Sequence, residues 1–399
     1  MRILTVHNYY QQPGGEEQIW STESALLESY GHEVLRYTLD NHDIKGMNPL
    51  LLAKNTVWNS RAYRDLRSLI RDQKPQIAHF HNTFPLISPS AYHAVKDEGI
   101  PVVKTLHNYR LLCPNALFFR EGKVCEDCLG KPFPLPGIIH GCYRGSKYNS
   151  AMVATTMSLH SLLGTWTQVV DVFIAYSKFA MDKFVEGGIP AEKLAFKTNF
   201  LHPAPQPGEG KGGYGVFVGR LSVEKGLGVM LDAWRQLGGK VPLKIVGDGP
   251  MRGLVTEAIK EMPEIEWMGR IPLEQVYEVM GNAAFFVFPS EWYETFGRVA
   301  IEAFAKGTPV VASNIGAISE LIDHQRTGLL FNPSDPTDLA AKINWLLANP
   351  DALSKMRQEV RAEFEAKYTA ADNYKRLMEI YESALSQKIS DGCLIKIAN

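Results

Sequence analysis

An apolar strand running straight into a glycine turn and an amphipathic helix opens this chain and recurs at the start of its second half. That repeated unit limits the possible folds more than any other feature. Ile3-Leu4-Thr5-Val6 leads to Gly14-Gly15, a helical pattern over residues 16–30, and a second strand over 33–37. Strand patterns return at 76–81 and 101–107, separated by helical patterns at 61–73 and 90–98. Strands alternating with helices imply parallel pairing through helical crossovers. After Pro203, Pro205 and Pro207 come Gly208, Gly210, Gly212 and Gly213, a linker composition. The unit then restarts with a strand at 215–220, a helix at 226–237 and a strand at 243–247. At 399 residues the chain exceeds one ordinary core. The reading is therefore α/β, with two doubly wound Rossmann-like parallel-sheet domains.

The expected boundaries are 1–205 for the first domain and 206–370 for the second. A helix over 371–387 returns to the first domain, and the tail is 388–399. Lys+Arg number 42 against 43 Asp+Glu, so no bulk positive field recruits nucleic acid. The opening apolar run is too short for a signal peptide, and the longest apolar stretch, 151–176, is broken by His160, Gln168 and Asp171. A cytoplasmic protein is expected, with peripheral contact to the inner face of a membrane left open.

The chemistry concentrates between Glu294 and Gly307, where a strand-like run at 285–288, an acidic loop, a helix and a second strand at 309–313 follow one another. Glu294 and Glu302 stand eight apart. On one continuous helix that is a rise of about 12 Å, too far for a glycosidase pair, whose carboxyls lie about 5 to 10 Å apart. The spacing suits one elongated ligand gripped at two hydroxyl-bearing ends, with an anionic middle at the helix N-terminus. A nucleotide-sugar has that shape. Taken alone, two such residues are more often an ordinary helix-start acid and a solvated face residue, and it is the company they keep that points to a ligand.

Gly14-Gly15 would let backbone N–H groups approach a phosphate, and as a plain turn would do nothing more. In the second half, Arg220 and Lys225 at the carboxyl end of a strand form a diphosphate clamp if they act together. Gly247-Asp248-Gly249-Pro250 adds a tight strand-to-helix turn whose Asp248 is otherwise a simple cap.

The ordered set Gly14-Gly15, His107, Gly219-Arg220 with Lys225-Gly226, Gly247-Asp248-Gly249-Pro250, Phe288-Pro289-Ser290, and Glu294 with Glu302 resembles the family 4 retaining glycosyltransferases of group 1. The likeness runs over the chain to about Ser386. It implies a GT-B fold, with two domains facing across a cleft, and a hexose-type transfer from a UDP-, GDP- or ADP-linked donor. The acceptor would be a sugar, polysaccharide or lipid-linked hydroxyl. By the same resemblance Arg220 and Lys225 hold the diphosphate, Glu294 the donor sugar and Glu302 the ribose. The backbone of Phe296, Gly297, Arg298 and Val299 meets sugar and phosphates, and that of Arg270 meets the base. Gly14, Gly15 and Gly249 join the donor site, and His107 faces the sugar. Retention implies that the acceptor attacks on the face the phosphate leaves, through an oxocarbenium-like state. No Asp-x-Asp is present to bind a catalytic metal, so no cofactor is expected for the chemistry. Closure about 203–213 would exclude water.

Residues 109–146 interrupt the alternation with Cys113, Cys125, Cys128 and Cys142, spaced C-x11-C-x2-C-x13-C. Four thiolates of this kind suit a structural zinc; four reduced thiols or an iron–sulfur cluster are the other readings. Lys131, Phe133, Tyr143, Arg144, Lys147 and Tyr148 form a basic, aromatic set that suits a membrane-borne acceptor or simply covers a loop. Other functions compatible with these residues are a nucleotide-sugar epimerase, a phosphorylase, or a non-catalytic zinc-stabilised sugar-binding protein.

Overall fold

Both halves are built on six-stranded, wholly parallel sheets. The computed structural model describes residues 1–12 and 14–397. It divides into one unit of residues 1–117, 126–197 and 371–399, and another of 118–125 and 198–370.

The first unit begins with β1 (Arg2–Tyr9), α1 (Gly15–Ser29), β2 (Glu33–Asp40), α2 (Pro49–Val57), α3 (Ser60–Gln73), β3 (Ile77–Asn82), α4 (Ser90–Asp97) and β4 (Val102–Thr105). The short hairpin β5 (Phe119–Arg120) and β6 (Lys123–Val124) groups with the second unit. Then come α5 (Leu135–Ile139), α6 (Lys147–Leu162), β7 (Val172–Ala175), α7 (Lys178–Glu186) and β8 (Leu194–Phe196). The strand order is β2-β1-β3-β4-β7-β8. Central strands β3, β4 and β7 are buried at every residue, which is why they read as unbroken apolar or small-polar runs rather than alternating ones. The long apolar stretch after residue 150 is divided between α6 and β7. It turns at Gly164 (φ 65°), and the buried His160 bonds to the Val57 carbonyl at 2.8 Å.

In the second unit β9 (Gly215–Val218), α8 (Leu227–Leu237), β10 (Leu243–Val246), α9 (Arg252–Glu261), β11 (Ile265–Gly269), α10 (Leu273–Asn282), β12 (Phe285–Phe288), α11 (Arg298–Ala305), β13 (Val310–Ser313), α12 (Gly316–Leu321) and β14 (Gly328–Phe331) alternate, and α13 (Pro336–Ala348) and α14 (Pro350–Lys367) follow. The order is β11-β10-β9-β12-β13-β14, so the winding reverses between β9 and β12. Trp234, Leu231, Phe285 and Ile343 anchor a core between the sheet and its helices. α15 (Ala370–Ile397) belongs to the first unit. Its Leu377, Ile380, Tyr381 and Ala384 pack with Ile3, Ile77, Val103 and Ile174.

The Pro/Gly run is not a free tether. Gly208, Gly210 and Gly212 donate their amides to the carbonyls of Lys306, Gly281 and Asn282 at 2.9, 3.0 and 2.8 Å. Arg357 spans the carbonyls of Gly208, Gly281 and Ala283, and Arg361 holds that of Pro205. A Cβ on Gly208 would lie 2.3 Å from the Gly281 oxygen. Glycine here serves close packing against the second unit, which corrects the linker reading.

Candidate functional site

Open α/β sheets bind ligands beyond the carboxyl ends of their strands, where the winding reverses. In the second unit that point lies between the loops leaving β9 and β12, and these loops carry Lys225 and Glu294. They are fitted backbone to backbone. The Glu291 amide donates to the Glu224 carbonyl at 2.9 Å, and Gly226, at φ 70°, sits where a Cβ would be 1.8 Å from the Pro289 oxygen. Only glycine satisfies both the left-handed turn and that approach. Lys225 is thereby brought onto Glu294, with Nζ 2.5 Å from Oε1. Ser290 Oγ and Trp292 Nε1 donate to the same oxygen at 3.0 Å each, and the Lys225 ammonium lies 5.1 Å from the Trp292 ring centroid. The carboxylate is buried, with three donors on one oxygen.

Glu302 lies one turn into α11, which is preceded by Gly297 (φ 97°), where a Cβ would be 2.8 Å from the Phe288 ring. Because the helix begins at Arg298, Glu294 is a loop residue, and the two carboxylates do not share the continuous helix on which their separation was reckoned. Arg298 Nε lies 3.4 Å from Glu302 Oε1, while its Nε and Nη1 are buried without a hydrogen-bond partner among the described residues. Burial raises the Glu302 carboxyl above its ordinary range, with Arg298 opposing. Burial, reinforced by Glu302, pushes the neighbouring Tyr277 hydroxyl up to about 12.

Arg220 follows β9 and is exposed, as is Arg270 after β11. Phe296 is buried edge-on to Tyr368, so only its backbone is available to a ligand. Gly249 has a packing reason of its own, since a Cβ there would meet the Leu221 oxygen at 2.4 Å. Gly14 and Gly15 differ from it. Both are exposed, neither has a positive φ, and nothing lies within 4 Å of an added Cβ.

In the first unit His107, two residues past β4, lines a cavity with Glu16, Lys104, Arg110, Tyr92 and Trp166. Tyr10 donates its hydroxyl to Glu16 Oε2 at 2.9 Å, and burial pushes the Glu16 carboxyl up to about 7 against the pull of that bond and of Lys104 and Arg110. Burial holds His107 well below the usual histidine range. His81 Nδ1 lies 3.0 Å from His107 Nε2. The sequence reading missed Glu16, Lys104, His81 and Glu23. One signal was available, because His79 and His81 two apart on a strand share a face.

Of the cysteines, Cys113 and Cys128 are buried, and Cys125 and Cys142 are partly so. Cys113 Sγ donates to Asn115 Oδ1 at 3.0 Å. Among the described residues no helix is long and apolar enough to cross a membrane.

A family model described as glycosyl transferases group 1 matches residues 213–349, which lie within the second unit. An uncharacterised glycosyltransferase of Methanocaldococcus jannaschii is 31% identical over 176 residues, 44% of this chain and 49% of that protein. The chain thus spans about half the length of that relative. Glycogen synthase of Mycobacterium tuberculosis is 28% identical over 327 residues, covering 75% of this chain and 77% of the relative. The crystal structure of Anabaena HepE in complex with UDP and glucose superposes with a TM-score of 0.68 at 18% identity, over 96% of this chain and 99% of that one.

Proposed function

We propose a reaction for a chain whose second unit is a group 1 glycosyltransferase domain and whose fold is of the GT-B type. It is retaining transfer of a hexose-type sugar from a nucleotide-diphosphate-sugar to an acceptor hydroxyl, without a catalytic metal. The observation that carries this reading is the pair of a partly buried Lys225 and a buried Glu294 at the point where the sheet reverses, beside the N-terminus of α11. A lysine held on a carboxylate in the free protein is poised to exchange part of that contact for a phosphate, leaving Glu294 to accept from sugar hydroxyls. HepE, a protein of like fold, has UDP and glucose bound.

In this reading Arg220 and Lys225 neutralise the diphosphate, aided by the backbone at Gly297, Arg298 and Val299. Glu302 accepts from the ribose hydroxyls, Arg270 borders the base, and Gly14, Gly15 and Gly249 leave room for the ligand. The bond from the anomeric carbon to the phosphate oxygen breaks as the acceptor oxygen bonds on the same face. The acceptor proton passes to the departing phosphate. Fixed cations at that phosphate stabilise the developing charge and substitute for a divalent metal.

The cavity with Glu16, Lys104 and His107 supports acceptor binding by the first unit. Its outer surface supports a cytoplasmic enzyme that touches a membrane peripherally. Phe133, Leu135, Ile139 and Tyr148 are 44%, 51%, 56% and 54% exposed, beside the exposed Lys131, Arg144 and Lys147. A structural zinc on Cys113, Cys125, Cys128 and Cys142 is part of the proposal. Its support is the donor set, with two of the thiols already buried in a segment of little regular structure.

A panel of UDP-, GDP- and ADP-sugars is expected to yield at least one that raises the melting temperature and donates to a hydroxyl acceptor with retained anomeric configuration. Lys225→Ala and Glu294→Ala should each lower kcat by about 100-fold or more while the protein stays folded. Near-normal transfer by both variants would refute the site.

A further inference from the structure

A chain of buried ionisable side chains runs through the first unit to His107, and the proposed reaction uses only its last member. Lys197 and Glu23, each 1% exposed, pair at 2.6 Å, and Lys197 also donates to Asn373 Oδ1 at 3.2 Å. The other Glu23 oxygen lies 3.3 Å from His81 Nε2 and 3.3 Å from His79 Nδ1. His81 Nδ1 faces His107 Nε2 at 3.0 Å, and His107 Nδ1 faces the Tyr176 hydroxyl at 3.4 Å. His79 is engaged at both nitrogens, by Tyr381 at 2.8 Å and Thr105 at 2.7 Å.

Stability does not account for this chain. A buried ion pair is often no better than well-packed apolar residues of the same volume. Nor does a metal. Glu23, His79 and His81 place three ligand atoms within 4.8 Å of one another, but the Lys197 ammonium already sits on the carboxylate, and hydroxyls claim both nitrogens of His79. A divalent ion there would be repelled by the buried ammonium beside it.

The protons fall into one consistent arrangement. The two 3.3 Å approaches to this Glu23 oxygen are close contacts short of hydrogen-bond geometry. Because an ionised carboxylate only accepts, the His81 hydrogen belongs on Nε2, which faces it, and Nδ1 is left bare. His107 must then donate from Nε2, which leaves its Nδ1 as the acceptor facing Tyr176. We propose that Glu23 and His81 are positioning residues that lock His107 as the neutral Nε2–H tautomer, with Lys197 keeping Glu23 ionised. The inference rests on the reading of His107 as the sugar-facing group. A neutral imidazole with a lone pair at Nδ1 does not oppose the positive charge that develops on the sugar ring, whereas an imidazolium would. Among the groups that bear on His107 are His81, Lys104, Glu23 and His7 from four different elements, together with Tyr176.

The first test does not depend on turnover. Long-range ¹⁵N–¹H spectra of histidine-labelled wild-type protein should show His107 neutral and protonated at Nε2 at pH 6, with His81→Asn losing that single tautomer. A wild-type His107 that is charged, or protonated at Nδ1, would overturn the proposal. With an active donor and acceptor in hand, Glu23→Ala and His81→Ala should lower kcat about 10- to 100-fold with the donor KM changed less than about threefold. Glu23→Gln, which still accepts from His81, should recover most of that loss. The acid limb of kcat should also move to higher pH in His81→Ala. Unchanged kcat and pH profile in both alanine variants would exclude the positioning role. Failure of wild type to use any nucleotide-sugar would refute the proposed function while leaving the tautomer result standing.

Discussion

At the scale of the residue, glycines with the same look in the sequence do different work. Gly226 and Gly14 both stand between a strand and a helix. Gly226 is left-handed and its missing Cβ is where the Pro289 oxygen comes, while Gly14 is extended with open space around it. Gly226→Ala should therefore cost more than about 3 kcal/mol of stability. Gly14→Ala should change stability by less than about 0.5 kcal/mol, and it raises the donor KM if a ligand approaches that loop. Denaturant melts of the two variants decide this, and a Gly226→Ala protein as stable as wild type would contradict the loop fit. The positions of Lys225 and Glu294 were legible because each follows a strand at the carboxyl edge, a position set by local pattern. Their contact, made between two loops far apart in the sequence, was not. Glu23 and Lys197 were illegible for a stronger reason. A charge on a helix and one near a strand end look solvated until the fold buries both.

At the scale of the element, the strands that begin each unit and those that flank the proposed site were readable from apolar runs bounded by glycine and proline, whereas many of the helices were not. β7, β8, β11 and β14 were not readable as strands: β7 merged with the apolar stretch before it, and β8 is short and only partly buried. The segment from 203 to 213 misled because composition reports flexibility of the free chain, whereas here Arg357 and Arg361 and three amide bonds supply partners from α14 and the C-terminal ends of α10 and α11. The insert presents the opposite case. Between Tyr109 and Ser146 regular structure amounts to two-residue strands and one short helix, too little to bury a core of its own. If the four thiols hold zinc, purified protein should contain about one zinc per chain, and its removal by a chelator should loosen this segment selectively. Limited proteolysis with and without chelator measures that. Metal-free protein with an equally protected insert would exclude the zinc.

At the scale of the whole molecule, ionisable groups are unevenly buried. Burial, with His81 and Lys104 adding to it, depresses His7 to about 3, and burial depresses His160 to about 4. Both belong to the first unit, as do His79, His81 and His107, which are lowered for the same primary reason. A histidine held neutral in the folded state binds its proton only after unfolding, so it contributes stability that is lost as pH falls below its unfolded value of 6.5. Glu16 acts in the other direction. With its carboxyl raised to about 7, stability is fully present below 4.5 and is lost as pH rises through 7. Between pH 6.5 and 5 each fully shifted group changes stability by about 2 kcal/mol. His7 and His160 together thus remove about 4 kcal/mol on acidification, and Glu16 returns about 2. The remaining buried histidines add to the loss. The second unit contains only His202 and His324, neither of them buried. Calorimetry from pH 7 to pH 5 should therefore show the first unit's transition falling by several degrees while the second unit's moves little. Glu16→Gln should raise the first unit's transition at pH 8 and leave it unchanged at pH 4. A first unit that melts at the same temperature at pH 7 and pH 5 would mean that its histidines are not held neutral, which would contradict the neutral His107 proposed above.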